Sequence, residues 1–291
     1  MKLTTEMRGG VKYVTGASVP KRPKNSHKYN YGCDMIIGGS VGYTGAPYYS
    51  AEAASRVGAG LVFLGVPEAI YEIEAIKSRS SIPFPLSCTK SGAMSEGAFD
   101  EIAARFPKTD AILIGPGMGR SCGITRLVSN ILRSFKGQII IDADGINAVS
   151  ENIDILGISE RPVIITPHMG EFSRLGGDTR APMAQAAHEF SAKHRCITVL
   201  KGPETVTAFP DGDLFINTSG SPALSKGGSG DVLAGMILGL TGQGFDLKAA
   251  VPGAVYFHGR AGDICGELYT EYGVISEDII EAIPKALSTD R

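Results

Sequence analysis

Short, almost uninterrupted apolar runs recur along the chain and alternate with longer stretches in which apolar residues return every three or four positions. The apolar runs cover residues 34–39, 61–66, 111–115, 138–144, 162–167 and 196–202. The stretches with helical spacing cover residues 47–59, 126–135 and 181–194. Because strands that are apolar on both faces are typical of parallel sheets buried between helices, the pattern predicts an α/β fold with a mostly parallel central sheet and helices on both faces.

The pattern changes in the last third of the chain. Residues 205–209 and 214–218 have the composition of strands and flank the turn sequence PDGD, which predicts an antiparallel hairpin at the edge of the sheet. The next stretches are apolar and rich in small residues, at 232–244 and 249–265. They predict helices that pack closely in the interior.

Length and composition are those of an ordinary globular protein. The chain has 291 residues, of which 43% are hydrophobic and 20% are charged. No internal repeat or linker-like change of composition divides it. We predict a lead-in segment over residues 1–26, extended or helical, followed by a single domain over residues 27–291.

Charge and cysteine content narrow the possible partners and the compartment. A formal net charge of -2 gives no electrostatic reason to expect a nucleic acid or an anionic membrane as partner. The five cysteines are odd in number and lack a C-x-x-C pair, which is typical of reduced thiols. The N-terminus lacks the apolar stretch of a signal peptide. We therefore expect a cytoplasmic protein that binds neither nucleic acid nor membrane.

The strongest local signal for chemistry is SKGGSGDVLAGMILGL at residues 225–240, a glycine-rich turn that opens into an apolar helix. Glycines have no Cβ atom to block their backbone amides, and at a helix N-terminus such amides favour binding of an anion. The predicted anion hole consists of Gly227, Gly228, Ser229 and Gly230. A carboxylate at Asp231 repels an anion unless it takes a proton from a nucleophile, so Asp231 is the candidate general base. An ordinary helix cap with glycines for tight packing explains the string equally well.

Several other motifs occur in an order that matches one family. They lie at residues 25–62, 113–119, 141–147, 165–175 and 199–206. Together with GGSGD and the following VLAG, they resemble the successive motifs of the ADP/ATP-dependent NAD(P)H-hydrate dehydratases, which are ribokinase-like enzymes. The resemblance covers nearly all the chain beyond residue 25.

The resemblance implies a ribokinase-like fold and an unusual lyase activity, that of the stand-alone bacterial form. The implied substrate is hydrated NADH or NADPH, which is dehydrated to NAD(P)H while ADP or ATP yields AMP or ADP and phosphate. The implied cofactor is Mg²⁺, and the implied assembly is a homotetramer. Asp231 is the implied base for phosphorylation of the ring hydroxyl. An aspartate with a pKa near ~4 is already ionised at neutral pH, so the chemistry requires no raised pKa, only a hydrogen bond to the hydroxyl.

The resemblance also assigns ligands to residues outside the glycine turn. It assigns the adenine nucleotide to Lys201, Gly202, Pro203, Glu204 and Thr205, together with Gly230. It assigns the hydrated dinucleotide to Ala46, Gly117, Gly119 and His168, together with Asp231. Glu171 corresponds to an acidic residue that organises water around Mg²⁺. Ordinary turns and helix N-termini are the structural alternatives for these residues.

The roles of some residues are undecided, and other residues depart from the family pattern. Polar groups at the end of the predicted strand 138–144 either serve the site or cap a helix: Asp142, Asp144 and Asn147. Lys226 replaces a small hydroxyl residue and either contacts phosphate or reaches solvent. Met169 replaces a proline. The remaining histidines show no ligand spacing and are expected at the surface or in the core: His27, His188, His194 and His258.

Two rival functions remain at this stage. The first is a kinase of the same superfamily that phosphorylates a vitamin-precursor alcohol, for which the scaffold and Asp231 serve equally well. The glycine-rich segments at 38–46 and 115–119 favour a dinucleotide-sized substrate instead. The second rival is a nucleotide-binding protein without catalysis. A carboxylate at Asp231 disfavours it, because binding alone favours a neutral or basic residue there.

Overall fold

Eleven strands pair into one sheet in the computed structural model, which describes residues 1–288. In chain order they are β1 (Lys2–Arg8), β2 (Val11–Ser18), β3 (Cys33–Ile37), β4 (Leu61–Pro67), β5 (Ile82–Leu86), β6 (Ala111–Ile114), β7 (Gln138–Ile141), β8 (Ile164–Ile165), β9 (Ile197–Leu200), β10 (Val206–Ala208) and β11 (Leu214–Asn217). Their order across the sheet is β1-β2-β11-β10-β9-β8-β7-β6-β3-β4-β5. Within the described residues, only the pairs β1/β2, β9/β10 and β10/β11 are antiparallel. The predicted, mostly parallel sheet is confirmed.

Helices connect the strands and cover the sheet. In chain order they are α1 (Gly45–Arg56), α2 (Tyr71–Lys77), α3 (Phe99–Ala103), α4 (Cys122–Ser134), α5 (Asp144–Ser150), α6 (Met169–Arg174), α7 (Met183–His194), α8 (Ser229–Gly242), α9 (Leu247–Gly273) and α10 (Ser276–Ala286). Near its end, α9 is interrupted at Thr270, whose φ of 63° and ψ of 161° are not helical. Over residues 1–288, no helix combines the length and the apolar character needed to cross a membrane.

Each face of the sheet carries its own hydrophobic core. Ile36 of β3 packs with α1, α8, α9 and α10, whereas its neighbours Met35 and Ile37 pack with α3 to α7 on the opposite face. Successive side chains of a strand point to opposite faces, so a run that is apolar throughout serves both cores. This explains why the uninterrupted runs predicted the parallel strands correctly.

Glycines let α8 lie directly against α1. A Cβ on Gly235 would overlap the carbonyl oxygen of Ser50, and one on Gly239 would lie 2.7 Å from the carbonyl oxygen of Ala54. At the start of α8, the Ser50 hydroxyl donates a hydrogen bond of 2.9 Å to the main-chain oxygen of Asp231. The close packing of the two helices therefore fixes where the first turn of α8, with Asp231, points.

The edge of the sheet differs from the prediction. Residues 205–218 form the expected antiparallel hairpin of β10 and β11, but β2 pairs in parallel with β11, and β1 pairs with β2. The predicted position of that hairpin at the edge is therefore wrong: the antiparallel hairpin at the edge is β1/β2. The segment 1–26 contributes both of these strands, and the last three residues of the predicted 27–291 domain lie outside the described part.

Candidate active site

The glycine-rich turn before α8 is fixed in a shape that requires glycine. Gly228 has a φ of 90°, and a Cβ there would lie 2.6 Å from the Ser276 hydroxyl and 2.9 Å from the ring of Tyr49. The Ser276 hydroxyl in turn donates to the Gly227 carbonyl oxygen at 2.8 Å. Because the first amides of a helix lack partners within the helix, the turn offers N–H groups to an anion.

Lys226 lines the cavity and makes a contact that the sequence did not indicate. Its Nζ donates to the carbonyl oxygen of Val274, at the junction between α9 and α10. This bond and the bond from Ser276 attach the glycine turn to that junction from two sides. Lys226 thus anchors the turn through a backbone carbonyl.

A cavity of about 600 Å³ opens beside the turn. Its size falls in the range of small-molecule sites. The predicted nucleotide residues that line it are Lys201, Gly202, Pro203, Thr205 and Gly230. Glu204 is exposed and does not line the cavity. Apolar side chains that line it include Leu224, Leu233 and Val255, so the cavity pairs an apolar wall with a floor of backbone amides.

Lys201 lies in a network of buried charges. Its Nζ is 3.0 Å from Asp142 Oδ1 and 4.0 Å from Glu171 Oε2. The Thr166 hydroxyl donates to the same Asp142 oxygen at 2.6 Å. Burial lowers the pKa of Lys201, but the carboxylates of Asp142 and Glu171 more than offset this effect, so its pKa is raised. Lys201 therefore carries a fixed positive charge at the floor of the cavity.

Asp231 lies beside this network in the first turn of α8. The pKa of Asp231 is raised to about 7: burial is the largest cause, the carboxylate of Asp142 adds to the rise, and the ammonium of Lys201 opposes it. A Cβ on Gly230 would lie 3.3 Å from Lys201 Nζ, so the ammonium faces the turn. The chemistry inferred from the sequence did not require this rise in the Asp231 pKa, which follows from burial of the carboxyl and is not visible in the sequence. A pKa near neutrality suits a general base.

His168 and Glu171 form the capping box of α6. The main-chain N–H of His168 donates to Glu171 Oε2 at 2.9 Å, and Nδ1 of His168 accepts from the N–H of Gly170 at 3.0 Å. The helix-terminus interpretation is therefore correct in geometry. It does not exclude a role in the site, because the Glu171 carboxylate also faces Lys201 and the exposed His168 ring lines the cavity.

Three of the five residues assigned to the hydrated dinucleotide lie together away from the cavity, whereas His168 lines the cavity. Gly117 has a φ of 67°, and a Cβ there would lie 2.9 Å from the Tyr43 carbonyl oxygen and 3.4 Å from the Ala46 Cβ. The N–H of Gly119 donates to Asp144 Oδ2 at 2.8 Å. The structure thus brings Ala46, Gly117 and Gly119 together near the ends of β3 and β6.

The two aspartates after β7 have different partners. Asp142 faces Lys201, whereas Asp144 accepts hydrogen bonds from Gly119 and from the Asn147 amide at 3.1 Å. Ala143 between them has a φ of 50° and a ψ of -119°, a strained conformation for a residue with a side chain. Asp142 therefore belongs to the charge network, whereas Asp144 and Asn147 lie beside Gly119.

The sequence interpretation missed several residues of the cavity wall, among them the polar side chain of His258. His258, expected at the surface or in the core, is 7% exposed and lines the cavity. Its Nε2 is 3.2 Å from the hydroxyl of Ser229. Only the small residues around it, which allow α9 to approach the site, distinguish it in the sequence from the other histidines.

Comparisons with known proteins agree with this geometry. The model of the NAD(P)H-hydrate dehydratase family matches residues 35–285. A bifunctional NAD(P)H-hydrate repair enzyme from Moorella thermoacetica is 36% identical over 275 residues, which are 93% of this chain and 52% of that enzyme. The chain thus spans about half the length of such bifunctional relatives.

Bacillus subtilis provides a relative and a solved structure that the chain covers over nearly their whole length. Its ADP-dependent (S)-NAD(P)H-hydrate dehydratase is 32% identical, with 92% of this chain and 94% of that enzyme covered. The structure of an ADP/ATP-dependent NAD(P)H-hydrate dehydratase, co-crystallised with ATP and Mg²⁺, matches with a TM-score of 0.81 and 30% identity over 94% of this chain and 95% of that one. The predicted ribokinase-like fold is confirmed. The chain therefore belongs to the NAD(P)H-hydrate dehydratase family.

Proposed function

We propose that this protein dehydrates hydrated NADH and NADPH and so regenerates the reduced cofactor, with ADP or ATP as the co-substrate. The placement of Asp231 carries this proposal. Its carboxyl group lies in the first turn of α8, next to the anion hole and the nucleotide-sized cavity. Asp144, which accepts a hydrogen bond from the N–H of Gly119, is near enough for its carboxylate to add to the rise of the Asp231 pKa. A base between a phosphate donor and a second ligand is what transfer of a phosphoryl group to a hydroxyl requires.

In the first stage, Asp231 takes the proton from the ring hydroxyl of the hydrated nicotinamide. The hydroxyl oxygen forms a bond to the terminal phosphorus of the nucleotide, and the bond from that phosphorus to its bridging oxygen breaks. ADP then leaves AMP, and ATP leaves ADP. The amides of residues 227–230 stabilise the charge on the transferring group, and the ammonium of Lys201 at the cavity floor adds a fixed positive charge.

In the second stage, the ring carbon–oxygen bond breaks, and phosphate leaves with the bonding electrons. Loss of a proton from the neighbouring ring carbon restores the double bond of NADH or NADPH. We assign binding of the dinucleotide during both stages to Ala46, Gly117, Gly119 and His168. Glycines there let the backbone approach the ligand closely.

The donor groups near Lys201 fit Mg²⁺. Within residues 1–288, no group of three or more His, Cys, Asp or Glu side chains is placed to hold a metal ion. Mg²⁺ usually keeps several waters and binds one or two carboxylates together with substrate phosphates. The buried carboxylates of Asp142 and Glu171 suit this mode, with Glu171 acting through water. When bound, Mg²⁺ would neutralise charge on the transferring phosphoryl group.

The proposal also includes the preferred nucleotide, the assembly and the location of the protein. ADP is the proposed preferred nucleotide, because the near full-length Bacillus subtilis relative is an ADP-dependent enzyme. A homotetramer and a cytoplasmic location remain part of the proposal. The rival kinase of a vitamin-precursor alcohol is less supported, since the family model and both Bacillus subtilis relatives carry the dehydratase activity.

The test follows recovery of NADH absorbance from purified NADH hydrate, with Mg²⁺ and either ADP or ATP, together with release of phosphate. Equal amounts of NADH and phosphate are expected, and the faster nucleotide is the preferred one. Asp231→Asn keeps the shape of the side chain and removes the base, so turnover is expected to fall at least about 10³-fold with nucleotide affinity nearly unchanged. Full turnover in this variant would remove Asp231 from the mechanism.

A further inference from the structure

His258 is the buried polar side chain of the cavity wall that the proposed chemistry does not use. It lies on α9, is 7% exposed, and places Nε2 3.2 Å from the hydroxyl of Ser229. Ser229 is the first residue of α8 and belongs to the anion hole, and its own exposure is 5%. The imidazole therefore lies directly behind one of the groups that face the anion.

The position of the ring is fixed by its neighbours on α9. A Cβ on Gly259 would overlap the Ser219 hydroxyl, so α9 lies in direct contact with the loop that forms the opposite wall of the cavity. The Ser219 hydroxyl donates to the carbonyl oxygen of Tyr256 at 2.8 Å. These contacts hold His258 between the cavity wall and the glycine turn.

The charge state of the ring decides what it does to the serine. Burial lowers the pKa of His258 to about 4, so the imidazole is neutral at pH 7 and carries a single N–H. When Nε2–H donates to the Ser229 oxygen, the hydroxyl hydrogen is left to point into the turn. A hydroxyl oriented in this way is one more donor to a phosphate oxygen, beside the backbone amides.

We propose that His258 is a positioning residue of the nucleotide site, which orients the Ser229 hydroxyl towards the phosphate of the nucleotide. This inference rests on the proposed function in one respect: a nucleotide phosphate must occupy the glycine turn. The proposal assigns His258 no direct contact with the phosphate or with the reacting hydroxyl. Its effect passes entirely through Ser229.

The experiment measures binding of ADP by calorimetry in the presence of Mg²⁺, so it does not depend on turnover. His258→Leu removes the donor and is expected to weaken ADP binding roughly tenfold, the effect of one lost hydrogen bond to a charged group. His258→Gln retains an amide donor near the position of Nε2 and is expected to restore most of the affinity. His194→Leu is the matched control, because His194 on α7 stacks on Phe190 and does not line the cavity.

A double-mutant cycle separates positioning from a general loss of structure. Ser229→Ala is expected to weaken ADP binding as much as His258→Leu does, and the double variant no more than either one. Additive losses would overturn the proposal, because they would show that His258 acts without Ser229. An unchanged affinity in folded His258→Leu would overturn it as well.

The remaining outcomes are also decisive. If His258→Leu does not fold, ADP binding by Ser229→Ala and His258→Gln decides. Weaker ADP binding in Ser229→Ala together with near-normal binding in His258→Gln supports the proposal. Any other combination overturns it. In dehydration assays, the KM for ADP is expected to rise while the KM for the hydrate stays constant. If the wild-type protein binds ADP with this dependence on His258 but does not dehydrate the hydrate, the proposed reaction fails and the positioning role stands.

Discussion

The raised pKa of Asp231 makes activity depend on pH in a way that the structure specifies. The base acts only when it is ionised, and burial together with Asp142 brings its pKa to about 7 in the free protein. With a pKa of 7, about one tenth of the molecules carry the ionised base at pH 6, and about nine tenths at pH 8. The rate at low concentrations of both substrates is therefore expected to rise ~tenfold between these two pH values.

A variant of Asp142 tests whether the fall in rate at low pH, the acidic limb of the pH profile, is caused by protonation of Asp231. Asp142→Asn keeps the hydrogen-bond partner of Thr166 and removes the negative charge that, after burial, does most to raise the Asp231 pKa. The same change frees the Lys201 ammonium from its 3.0 Å contact with Asp142. Both effects lower the pKa of Asp231. The acidic limb is therefore expected to move to lower pH, so that the variant retains a larger fraction of its maximal rate at pH 6.

The assay is the initial rate of NADH recovery between pH 5.5 and 9, at substrate concentrations well below both KM values, so that it reports ionisation of the free enzyme. Asp231→Asn provides the background rate at each pH, and incubation without enzyme provides the stability of the hydrate. Two results would refute the reasoning: a rate that is flat down to pH 5.5, or a limb that stays in place in Asp142→Asn.

Two further predictions concern other parts of the molecule. Asp34 is buried without a hydrogen-bond partner among the described residues, and burial, then Asp110, holds its pKa well above the usual range. Because the folded-state pKa is raised, stability falls as pH rises from the unfolded pKa through the folded one, by up to ~1.4 kcal/mol per pH unit. Thermal melts of Asp34→Asn should therefore show a stabilisation that grows from pH 5 to pH 8, and equal effects at both pH values would contradict this. Gly117→Ala places a side chain at a φ of 67° and against Tyr43. Steady-state kinetics should therefore show a KM for the hydrate that is roughly tenfold higher, with ADP affinity unchanged. Gly244→Ala, at a φ of 77° with no atom within 4 Å of the new Cβ, is the control for backbone strain alone.

The sequence predicted those parts of the fold that local pattern determines. The buried strands were recognisable because both of their faces are covered, so nearly every position is apolar. The glycine turn was recognisable because its backbone shape tolerates no side chain, as Gly228 illustrates. In both cases the physical requirement acts on neighbouring residues and is therefore visible along the chain.

The parts that were missed depend on residues far apart in the sequence. The partner of Lys201 is Asp142, 59 positions away, and Ser229 meets His258 across 29 positions. The pKa of Asp231 depends on burial by several elements at once. Strand β1 was missed for another reason: its side chains are nearly all exposed, so it lacks the apolar pattern by which the other strands were found.

The β1/β2 hairpin affects how readily the protein can aggregate in a concentrated solution. Without these two strands, β11, whose residues are largely buried, would present its free N–H and C=O groups at the rim of the sheet. A rim of that kind is a template on which a strand from another molecule can add. The rim that the protein does present is β1, which exposes the charged residues Lys2, Glu6 and Arg8 and two threonines. Desolvating such charges opposes strand addition, so the hairpin protects the molecule from aggregation.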